Sequence, residues 1–492
     1  MNLSKSLYTK GLQCPRALWL KKYNNEVLTK PDNLVNMRFE TGNEIGELAC
    51  ELFPNGTKIE YSADYAEMIE STKKCISNGT KYIYEATFSF NGVLIMIDAL
   101  EIDTNNTVSI YEVKSSTSIK DIYLHDISIQ YYVLQQLGYS INSANIVHIN
   151  SSYVRGEILD IEELFSINDV TNNVIELQKN IPNTLEKFKQ MLSDKENEPK
   201  IEIGKHCHDP YQCDAKEYCW NIQEKIPEYS IFNVFNLGSK KQKALSKKGI
   251  KDIMEIPKNF VMTPKQALDV NVHKTQETYI NKIKIKEFVN TLSYPIYHLD
   301  FETFQQAIPK YTEVSPYEQI PFQYSLHIEH EGGTLEHKEY LSSDSIDPRF
   351  ELTKSLCADI PEDVTVLVYN MSFEKSVIKK LASPYNARTA HLMKIHNNIK
   401  DLMVPFQKKY YVSPDQKGSY SIKNVLPALV PTMVSEYQKI DGVQNGSDAM
   451  NVFKTLGNME HEKKQKMRNS LLSYCKLDTL AMVKILEVLK KV

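Results

Sequence analysis

The chain has 492 residues, of which 42% are hydrophobic and 24% charged, and its formal net charge is −4. This length exceeds what one ordinary core accommodates, so two or three domains are expected. The slight negative charge excludes an overall basic coat for nucleic acid, although it leaves room for a local basic groove. The first twenty residues lack the apolar stretch of a signal peptide, and no segment approaches the length of a membrane span. We therefore expect a cytoplasmic protein with reduced thiols and no membrane partner.

The residue pattern predicts an α/β, multidomain protein with three regions, residues 1–225, 226–292 and 293–492. In the first, helical patterns precede strands that run from about Tyr82 to Lys114. The segment "DISIQYYVLQQLG" then has the pattern of an amphipathic helix, and "SANIVHIN" that of a further strand. This region is predicted to be an α+β domain.

The middle region, 226–292, has short, Lys-rich helical patterns with few strand signals. Within it, "KKGIKDIMEIP" has the form of a helix–Gly–helix hairpin, which can bind a phosphate backbone through helix N-termini. A solvated helical linker explains the same pattern, so both interpretations stay open.

The third region, 293–492, begins with the strand pattern "YPIYHLDFETF". A hairpin turning at Gly332-Gly333 is predicted next, followed by a short buried strand in "VTVLVYN" and a long terminal helix. Strands that give way to alternating helices favour an α/β layer fold.

Charged residues interrupt two strands of the first region. "IMIDAL" contains Asp98, and "YEVKSS" places Glu112 and Lys114 on one strand face. A turn centred near Asn105 sets Asp98 opposite Glu112, so the two carboxylates would repel unless a cation lies between them. Mg²⁺ is the natural candidate, with the lysine stabilising charge that develops during a reaction. The alternative is an edge hairpin with a charged outer face.

The series "IDAL", "YEVKSS" and "DISIQYYVL" resembles the D…ExK…Q motifs of the PD-(D/E)XK nuclease superfamily, in its RecB and Cas4-like branch. The resemblance implies a restriction-endonuclease-like domain in which Asp98 and Glu112 bind Mg²⁺ or Mn²⁺. It also implies that Lys114 is the catalytic lysine and Gln130 the glutamine of the helical motif.

Two positions depart from that family pattern. Leu134 stands where the family has a tyrosine four residues after the glutamine. In "GNEIG", Gly46 stands where the early helix of the family has a histidine, and Glu44 or Glu47 is the proposed substitute.

Four cysteines form a pattern that is not that of a zinc ribbon. Cys207, Cys213 and Cys219 have the spacing C-x5-C-x5-C, and Cys14 lies far away in "LQCPRALW", with no C-x2-C pair. Four thiolates suit a [4Fe–4S] cluster, while zinc or unligated thiols remain as alternatives. The other cysteines have apolar or helical surroundings that predict core residues: Cys50, Cys75, Cys357 and Cys475.

One N-terminal cysteine with three C-terminal ones resembles the Cas4 and AddB-type nucleases. The resemblance implies that Cys14, Cys207, Cys213 and Cys219 bind a structural [4Fe–4S] cluster. Such a cluster would join the two ends of the nuclease domain by closing a very long loop.

A second set of acids lies in the third region. In "YHLDFETF", Asp300 and Glu302 share one strand face, and Phe301 is predicted to point into the core. "VYNMSFEK" places Asn370 and Glu374 where a buried strand gives way to a helix.

The last helix adds two more polar residues to this set. Tyr474 and Asp478 stand at positions i and i+4, on one helix face.

These three motifs resemble those of the DEDD exonucleases, which have a DnaQ-like, RNase H-like fold, in the subclass with a tyrosine before the last acid. Glu374 replaces the commoner Asp of the second motif. The resemblance implies that Asp300, Glu302, Glu374 and Asp478 bind two Mg²⁺ or Mn²⁺ ions and that Tyr474 orients the attacking water.

The segments "IKDLMVPF" and "GSYSIKNVLPAL" are similar to the stretch between the second and third motifs in YprB-like proteins with the RNase H fold. Asp401 and Lys423 in these segments are interpreted as secondary site residues or, alternatively, as helix-cap and surface groups.

Together the two resemblances lead us to expect a metal-dependent nuclease that hydrolyses DNA, either single strands or duplex ends. The third region would trim 3′ to 5′, and the first would act as a Cas4/RecB-like nuclease. Two alternatives remain, a non-catalytic nucleic-acid-binding adaptor with degenerate sites and an exonuclease that acts on RNA, because 2′-hydroxyl discrimination depends on the pocket.

Overall fold

The computed structural model describes residues 3–105, 107–382 and 387–492. The chain divides into two compact units. Unit 1 comprises Met1–Lys225 and Gln306–Glu318, and unit 2 comprises Ile226–Gln305 and Gln319–Val492. Both units mix helices and strands, so the protein belongs to the α/β class. Within the described residues, no helix is both long and apolar enough to cross a bilayer.

Unit 1 is built on a seven-stranded mixed sheet. Its strands are β1 (Leu3–Ser4), β2 (Thr57–Lys58), β3 (Tyr82–Phe90), β4 (Val93–Ile102), β5 (Thr107–Lys114), β6 (Ser140–Ile149) and β7 (Phe165–Asp169). The strand order is β2-β3-β4-β5-β6-β7, and β1 pairs with β4. The helices are α1 (Lys5–Gln13), α2 (Pro15–Tyr23), α3 (Asn33–Ala49), α4 (Tyr65–Ser77), α5 (Asp121–Gln136), α6 (Ile161–Leu164), α7 (Thr171–Gln178) and α8 (Ile181–Ser193).

The hairpin between β4 and β5 is closed by Asp103. Its side chain accepts hydrogen bonds from the backbone N–H groups of Asn105 and Thr107, each at 2.8 Å. Such local side-chain bonds are the reason aspartate favours turns. The turn fixes the register of the two strands that carry Asp98 and Glu112.

Helix α5 is more buried than an amphipathic surface helix. Apolar residues such as Ile127 and Val133 are fully buried, and so is Gln130. The helix packs against both the sheet and α7, which leaves little of its circumference in solvent. A helix that is buried all round is a core helix, so the prediction of a helix is confirmed and its amphipathic character is wrong.

Unit 2 contains a five-stranded sheet and a separate two-stranded one. Its strands are β8 (Tyr279–Ile280), β9 (Ile296–Phe304), β10 (Ile320–Glu329), β11 (Leu335–Leu341), β12 (Thr365–Val368), β13 (Ile399–Asp401) and β14 (Tyr411–Val412). The larger sheet has the order β11-β10-β9-β12-β13, with β10 antiparallel to its neighbours and β9, β12 and β13 parallel. β8 pairs with β14.

Helices cover both faces of the larger sheet. They are α12 (Arg349–Asp359), α13 (Met371–Leu381), α14 (Thr389–Asn397), α15 (Val404–Gln407), α16 (Ile422–Leu429), α17 (Val434–Gln438), α18 (Gly446–Thr455) and α19 (His461–Lys490). On one face, Leu299 and Phe301 of β9 pack with residues of α12–α14. On the other, Ile296 packs with residues of α16 and α19. The predicted inward position of Phe301 is confirmed, as are the hairpin at Gly332-Gly333 and the terminal helix.

The segment 226–292 is grouped with unit 2 and has a small apolar core of its own. It contains α9 (Ser239–Ser246), α10 (Pro264–Thr275) and α11 (Lys282–Val289). After Gly249, which has a φ of 77°, the chain forms one 3-10 turn, Ile253–Glu255, instead of a second helix. The predicted helix–Gly–helix hairpin is therefore wrong, because Pro257 ends the helical pattern after a single turn.

Candidate active sites and cysteine cluster

Three acidic residues form one row across β3, β4 and β5. The β3–β4 ladder places Glu85 opposite Asp98. The β4–β5 ladder pairs Ala99 with Tyr111, and one further step places Asp98 opposite Glu112, the register that the turn position predicts. Glu85 has a φ of 55°, a left-handed conformation that is uncommon for a non-glycine residue and clusters at functional sites.

Glu112 is the centre of this first site, and its side chain is almost fully buried. The ammonium of Lys5 lies 2.9 Å from each of its two carboxylate oxygens. Lys114 donates to Oε1 and the Gln130 amide to Oε2, both at 2.6 Å. Lys5 also lies 3.6 Å from the carboxylate of Asp98. The structure thus brings together all four residues that the sequence predicted in this region, and it adds Lys5.

A further acid, Asp126, holds the other side of Lys114. The Nζ of Lys114 lies 2.6 Å from Oδ2 of Asp126. The second oxygen, Oδ1, is buried and has no hydrogen-bond partner within the described residues. Asp126 stands one helical turn before Gln130 on α5, a spacing that places both on one helix face. That i, i+4 pair was a usable sequence signal.

The electrostatics of the first site are set by burial and by the two lysines. Burial raises the pKa of Glu112, but Lys114 and Lys5 outweigh it and hold this pKa well below its usual range. Burial and the neighbouring Glu112 raise the pKa of Asp98 to about 7. Burial also raises the pKa of Asp126 and of Glu85. Four acids thus face two lysines, and the remaining negative charge must be balanced by protons or by a bound cation.

The proposed substitutes for the family histidine lie on α3. Glu44 and Glu47 are exposed, and Glu47 pairs with Lys58 at 3.7 Å. Gly46 has open space beside its Cα. A compensating role for either glutamate stays a prediction.

The four cysteines predicted to bind a cluster line one small cavity of unit 1, together with Arg16 and His206. All four are free thiols, and Cys14, Cys207 and Cys219 are buried. Cys14 lies between α1 and α2, and Cys219 lies in a π-helical turn, Tyr218–Gln223. π-Helical turns are rare and are frequent at functional sites.

Burial raises the pKa values of three thiols in this cavity, and backbone N–H groups oppose this effect at Cys14. Burial raises the pKa of Cys213 and of Cys219 to about 11 in the protonated, metal-free state. The backbone N–H groups of Ala17 and Arg16 bond to the sulfur of Cys14 and partly offset the effect of burial. Such N–H donors stabilise a thiolate once a metal replaces the proton.

The geometry of the four thiols bears on which group they fit. A tetrahedral zinc with Zn–S bonds of about 2.3 Å would bring sulfurs within roughly 4 Å of one another. Within the described residues, the one group of three or more metal-ligating atoms closer than 4.8 Å is elsewhere, in unit 2. No three of the four sulfurs therefore lie within 4.8 Å of one another.

The second site lies where β9, α13 and α19 meet. Asp300 and Glu302 project from β9 on the face opposite Phe301, and α19 packs on that face. Glu374 stands in the first turn of α13, with an Oε2 that is buried and without a hydrogen-bond partner within the described residues. Asp478 comes from α19.

Two tyrosines and one cysteine support these acids. The Tyr437 hydroxyl donates to Oδ1 of Asp478 at 2.8 Å, and the Tyr474 hydroxyl also bonds to this carboxylate. The thiol of Cys475 lies 3.8 Å from Oδ2 of Asp300. The sequence predicted Cys475 as a core residue. It is fully buried, but its sulfur belongs to the acid cluster.

Burial raises the pKa values of all four acids, and repulsion between carboxylates adds to the effect at three of them. Asp300, Glu302 and Glu374 have pKa values well above the usual range, with burial as the largest cause and the neighbouring carboxylates next. Burial also raises the pKa of Asp478 to about 6, against the two tyrosine hydroxyls. The cation that acts on Glu302 and Asp478 is Lys423, whose side chain is exposed.

Asp401 has the helix-cap role that the sequence left open. Its carboxylate accepts hydrogen bonds from the backbone N–H groups of Asn370 and Met371, at 3.1 and 3.0 Å, and from Met403 at 2.9 Å. Asn370 has a φ of 79° at the start of α13. Asp401 thus positions the helix that carries Glu374.

Comparison with known proteins gives a family without a described activity. A family model described as a domain of unknown function (DUF2779) matches residues 297–421. This range includes Asp300, Glu302 and Glu374. The uncharacterized protein UU173 of Ureaplasma parvum is 28% identical over 265 residues, 49% of this chain. The match spans 37% of the length of that relative.

Proposed function

We propose that this chain is a divalent-metal-dependent nuclease that hydrolyses DNA phosphodiester bonds, with the main hydrolytic site in unit 2. The observation that carries the proposal is the convergence of Asp300, Glu302, Glu374 and Asp478. Burial raises the pKa values of all four carboxylates, and neighbouring carboxylates raise those of Asp300, Glu302 and Glu374 further. They require a positive charge among them to ionise together. Carboxylate oxygens are hard ligands, which suits Mg²⁺ or Mn²⁺.

The arrangement fits such ions because one potential ligand atom has no hydrogen-bond partner. Oε2 of Glu374 is buried without a hydrogen-bond partner within the described residues, and buried polar atoms in native proteins normally have one. When bound, a pair of divalent ions would supply an activated water and stabilise the leaving oxygen of the phosphodiester. Asp300, Glu302, Glu374 and Asp478 would hold these ions.

The other residues position these ligands. The hydroxyls of Tyr437 and Tyr474 form hydrogen bonds with the Asp478 carboxylate and hold that side chain in one rotamer. Asp401 fixes the first turn of α13 and hence Glu374. Tyr474 is the residue we assign to orienting the attacking water, as the DEDD resemblance implies. These roles and the mixed sheet support an RNase H-like 3′–5′ exonuclease domain.

The test is metal-dependent release of nucleotides from single-stranded DNA labelled at its 3′ end, with 5′-labelled DNA and RNA of the same sequence as parallel substrates. The double variant D300A/E302A should lose Mn²⁺-dependent release. A matched control is Glu336→Gln, which removes an acid on β11 that pairs with His330, and it should keep full activity. If D300A/E302A trims DNA as fast as wild type, unit 2 is not the hydrolytic site.

One observation favours a second candidate function for unit 1, which is nucleic-acid binding without hydrolysis. Lys5 and Lys114 already neutralise Glu112, whereas in the second site Asp300 is contacted by the thiol of Cys475 and, within the described residues, forms no ion pair with a lysine. The proposed Cas4/RecB-like nuclease role predicts that Asp98→Asn or Lys114→Met changes a separate product, such as nicks or 5′ trimming. If these variants alter DNA affinity but no product, the binding role is correct.

We further propose that Cys14, Cys207, Cys213 and Cys219 hold a [4Fe–4S] cluster. The cluster would supply structural cross-linking, since it would join residues almost two hundred positions apart in the chain. Contacts of the protein itself already bring these segments together. Lys10 pairs with Asp214 at 2.7 Å, and the Gln13 amide donates to the carbonyl of His206 at 2.8 Å.

A further inference from the structure

The thiol of Cys475 shares a small volume with two carboxylates of the second site. Its sulfur lies 3.8 Å from Oδ2 of Asp300. One ligand atom each from Asp300, Glu302 and Cys475 lies within 4.8 Å of the others. A thiol is not a ligand that Mg²⁺ uses, because Mg²⁺ prefers oxygen in octahedral geometry.

These separations suit a tetrahedral ion with a mixed donor set. Zn–S bonds of about 2.3 Å and Zn–O bonds of about 2.1 Å at a tetrahedral angle put sulfur and oxygen about 3.6 Å apart, close to the observed 3.8 Å.

A fourth group is available independently of the cysteine. Glu374 is 2% exposed, and its Oε2 has no hydrogen-bond partner within the described residues. Its carboxylate interacts electrostatically with Asp300 and Glu302, although it is not one of the three groups whose ligand atoms lie within 4.8 Å of one another. A buried carboxylate oxygen without a hydrogen-bond partner is available to complete the coordination of an ion bound nearby.

We propose that Asp300, Glu302 and Cys475 form a site for one thiophilic divalent cation, Zn²⁺ or Cd²⁺, and that the Glu374 carboxylate moves toward the bound ion to become its fourth ligand. On binding, the Cys475 thiol gives its proton to solvent and the sulfur coordinates the ion. The same carboxylates then cannot bind hard ions, so Zn²⁺ competes with Mg²⁺ or Mn²⁺. This competition rests on the proposed nuclease function, whereas the binding itself does not.

Cadmium is the probe for the site, because a Cd–thiolate bond has an ultraviolet charge-transfer absorption that a Cd–carboxylate bond lacks. The full-length chain is titrated with Cd²⁺ after its metal content has been recorded, and variants are compared by difference spectra. Wild type should bind one more equivalent of Cd²⁺, with its charge-transfer band, than Cys475→Ser. Subtracting the spectrum of Cys475→Ser from that of wild type removes the contribution of the four cysteines of unit 1, because both proteins contain them.

Two further variants make the test specific. Asp300→Asn should weaken Cd²⁺ binding at this site at least about tenfold, because even outer-shell changes cost about 10–100-fold in metal affinity. Cys357→Ser is the matched control, since Cys357 is a half-buried cysteine of the same unit that packs in the apolar core of α12, and it should bind Cd²⁺ as wild type does. Circular dichroism of Cys475→Ser and of Cys475→Ala identifies a variant that has unfolded.

The proposal is wrong if a folded Cys475→Ser protein keeps the full charge-transfer band. It is also wrong if Asp300→Asn keeps wild-type affinity, because the thiol would then bind Cd²⁺ alone. In the activity assay, Zn²⁺ should inhibit Mn²⁺-supported hydrolysis, and Cys475→Ser should need at least about tenfold more Zn²⁺. Cd²⁺ binding that depends on Cys475 in a protein without hydrolysis would retain this site and reject the nuclease function. Hydrolysis without Cd²⁺ binding that depends on Cys475 would retain the nuclease function and reject this site.

Discussion

The ammonium group of Lys5 lies 2.9 Å from both carboxylate oxygens of Glu112, although 107 residues separate them in the chain. Lys114 approaches the same carboxylate from two residues away. One buried glutamate is therefore neutralised by two lysines, one local and one remote. Because Lys5 also approaches Asp98, it stands where a cation is needed between the two acids.

Replacing Lys5 with Met should destabilise the metal-free protein. The change leaves Glu112 buried with one cation fewer, and breaking a buried ion pair costs about 3–5 kcal/mol. A divalent ion can replace the lost charge, so Mn²⁺ should raise the melting temperature of the variant more than that of wild type. Thermal unfolding in EDTA and in Mn²⁺ measures both effects.

The control for this experiment is Lys21→Met, on α2, which removes an exposed lysine that bonds to Asn25. It should behave as wild type in both buffers. Equal Mn²⁺ stabilisation of wild type and Lys5→Met would show that Lys5 does not occupy the position of a metal.

Asp300→Asn should stabilise the metal-free protein while weakening its response to metal. Asn is close to Asp in shape but removes one charge from a group of buried, mutually repelling carboxylates. Removing this repulsion should raise the free energy of unfolding in EDTA by about 0.5–2 kcal/mol. The stabilisation by Mn²⁺ should shrink at the same time, since a ligand has been lost.

Denaturant unfolding with and without Mn²⁺ tests the Asp300→Asn prediction. Asp359→Asn serves as a control for an aspartate that already has partners, because its carboxylate accepts from Tyr324 and Lys338. That variant should lose stability in both buffers. A less stable Asp300→Asn protein in EDTA would contradict the view that the acids repel one another.

The pH dependence of stability should carry the signature of Asp478. Burial raises its folded-state pKa to about 6 from the ordinary aspartate value of 3.8, so the folded protein binds this proton more tightly than the unfolded chain does. The contribution to stability is fully present below about pH 4 and is lost as pH rises through about 6. In EDTA, Asp478→Asn should therefore flatten the decline in stability across this window.

Mn²⁺ should oppose the same decline, because a bound cation favours the ionised carboxylate. The measurement is the free energy of unfolding of wild type and Asp478→Asn at several pH values between about 4 and 7. Identical slopes for the two proteins in EDTA would rule out a raised pKa for Asp478.

Cys14→Ser should remove the metal cluster from unit 1. If four thiolates hold a [4Fe–4S] cluster, purified wild type is brown and contains iron and sulfide, and the variant loses most of both. The melting temperature of the variant should fall, because the cross-link between the start of the chain and residues 207–219 is lost. Iron, sulfide and zinc analysis together with visible absorption measures the outcome.

Cys75→Ser provides the comparison for Cys14→Ser, since Cys75 lies in α4, away from the four-cysteine cavity. It should keep wild-type iron and sulfide. If wild type contains stoichiometric zinc and no iron, the four cysteines form a zinc site instead of an iron–sulfur cluster. If it contains neither metal, the four cysteines are unligated thiols.

Local features could be predicted from the sequence where they depend only on residues that are close together in the chain. The β4–β5 register followed from the turn at Asp103–Thr107, because a short turn leaves few ways to pair two strands. The positions of Asp300 and Glu302 on the face opposite Phe301 followed from the two-residue period of a strand. The spacing of Tyr474 and Asp478 followed from the helical period.

Another local prediction failed because the sequence pattern after Gly249 fits more than one local structure. The pattern after Gly249 suggested a helix, but Pro257 restricts the residue before it and the chain forms only a 3-10 turn. Glu44 and Glu47 had the right charge to replace a histidine. Both are exposed residues of α3, and their role as substitutes stays a prediction.

The sequence by itself determined which residue types are available, the strands and helices that carry them, and the relation of acids within one element or one hairpin. The tertiary structure decided which groups that are distant in the sequence come together. Examples are Lys5 with Glu112, Cys475 with Asp300, and Cys14 with the later cysteines. The physical reason is that strand and helix periods fix directions over a few residues, whereas long-range contacts depend on how whole elements pack. The charge partner of a buried carboxylate is therefore set by the element that packs beside it.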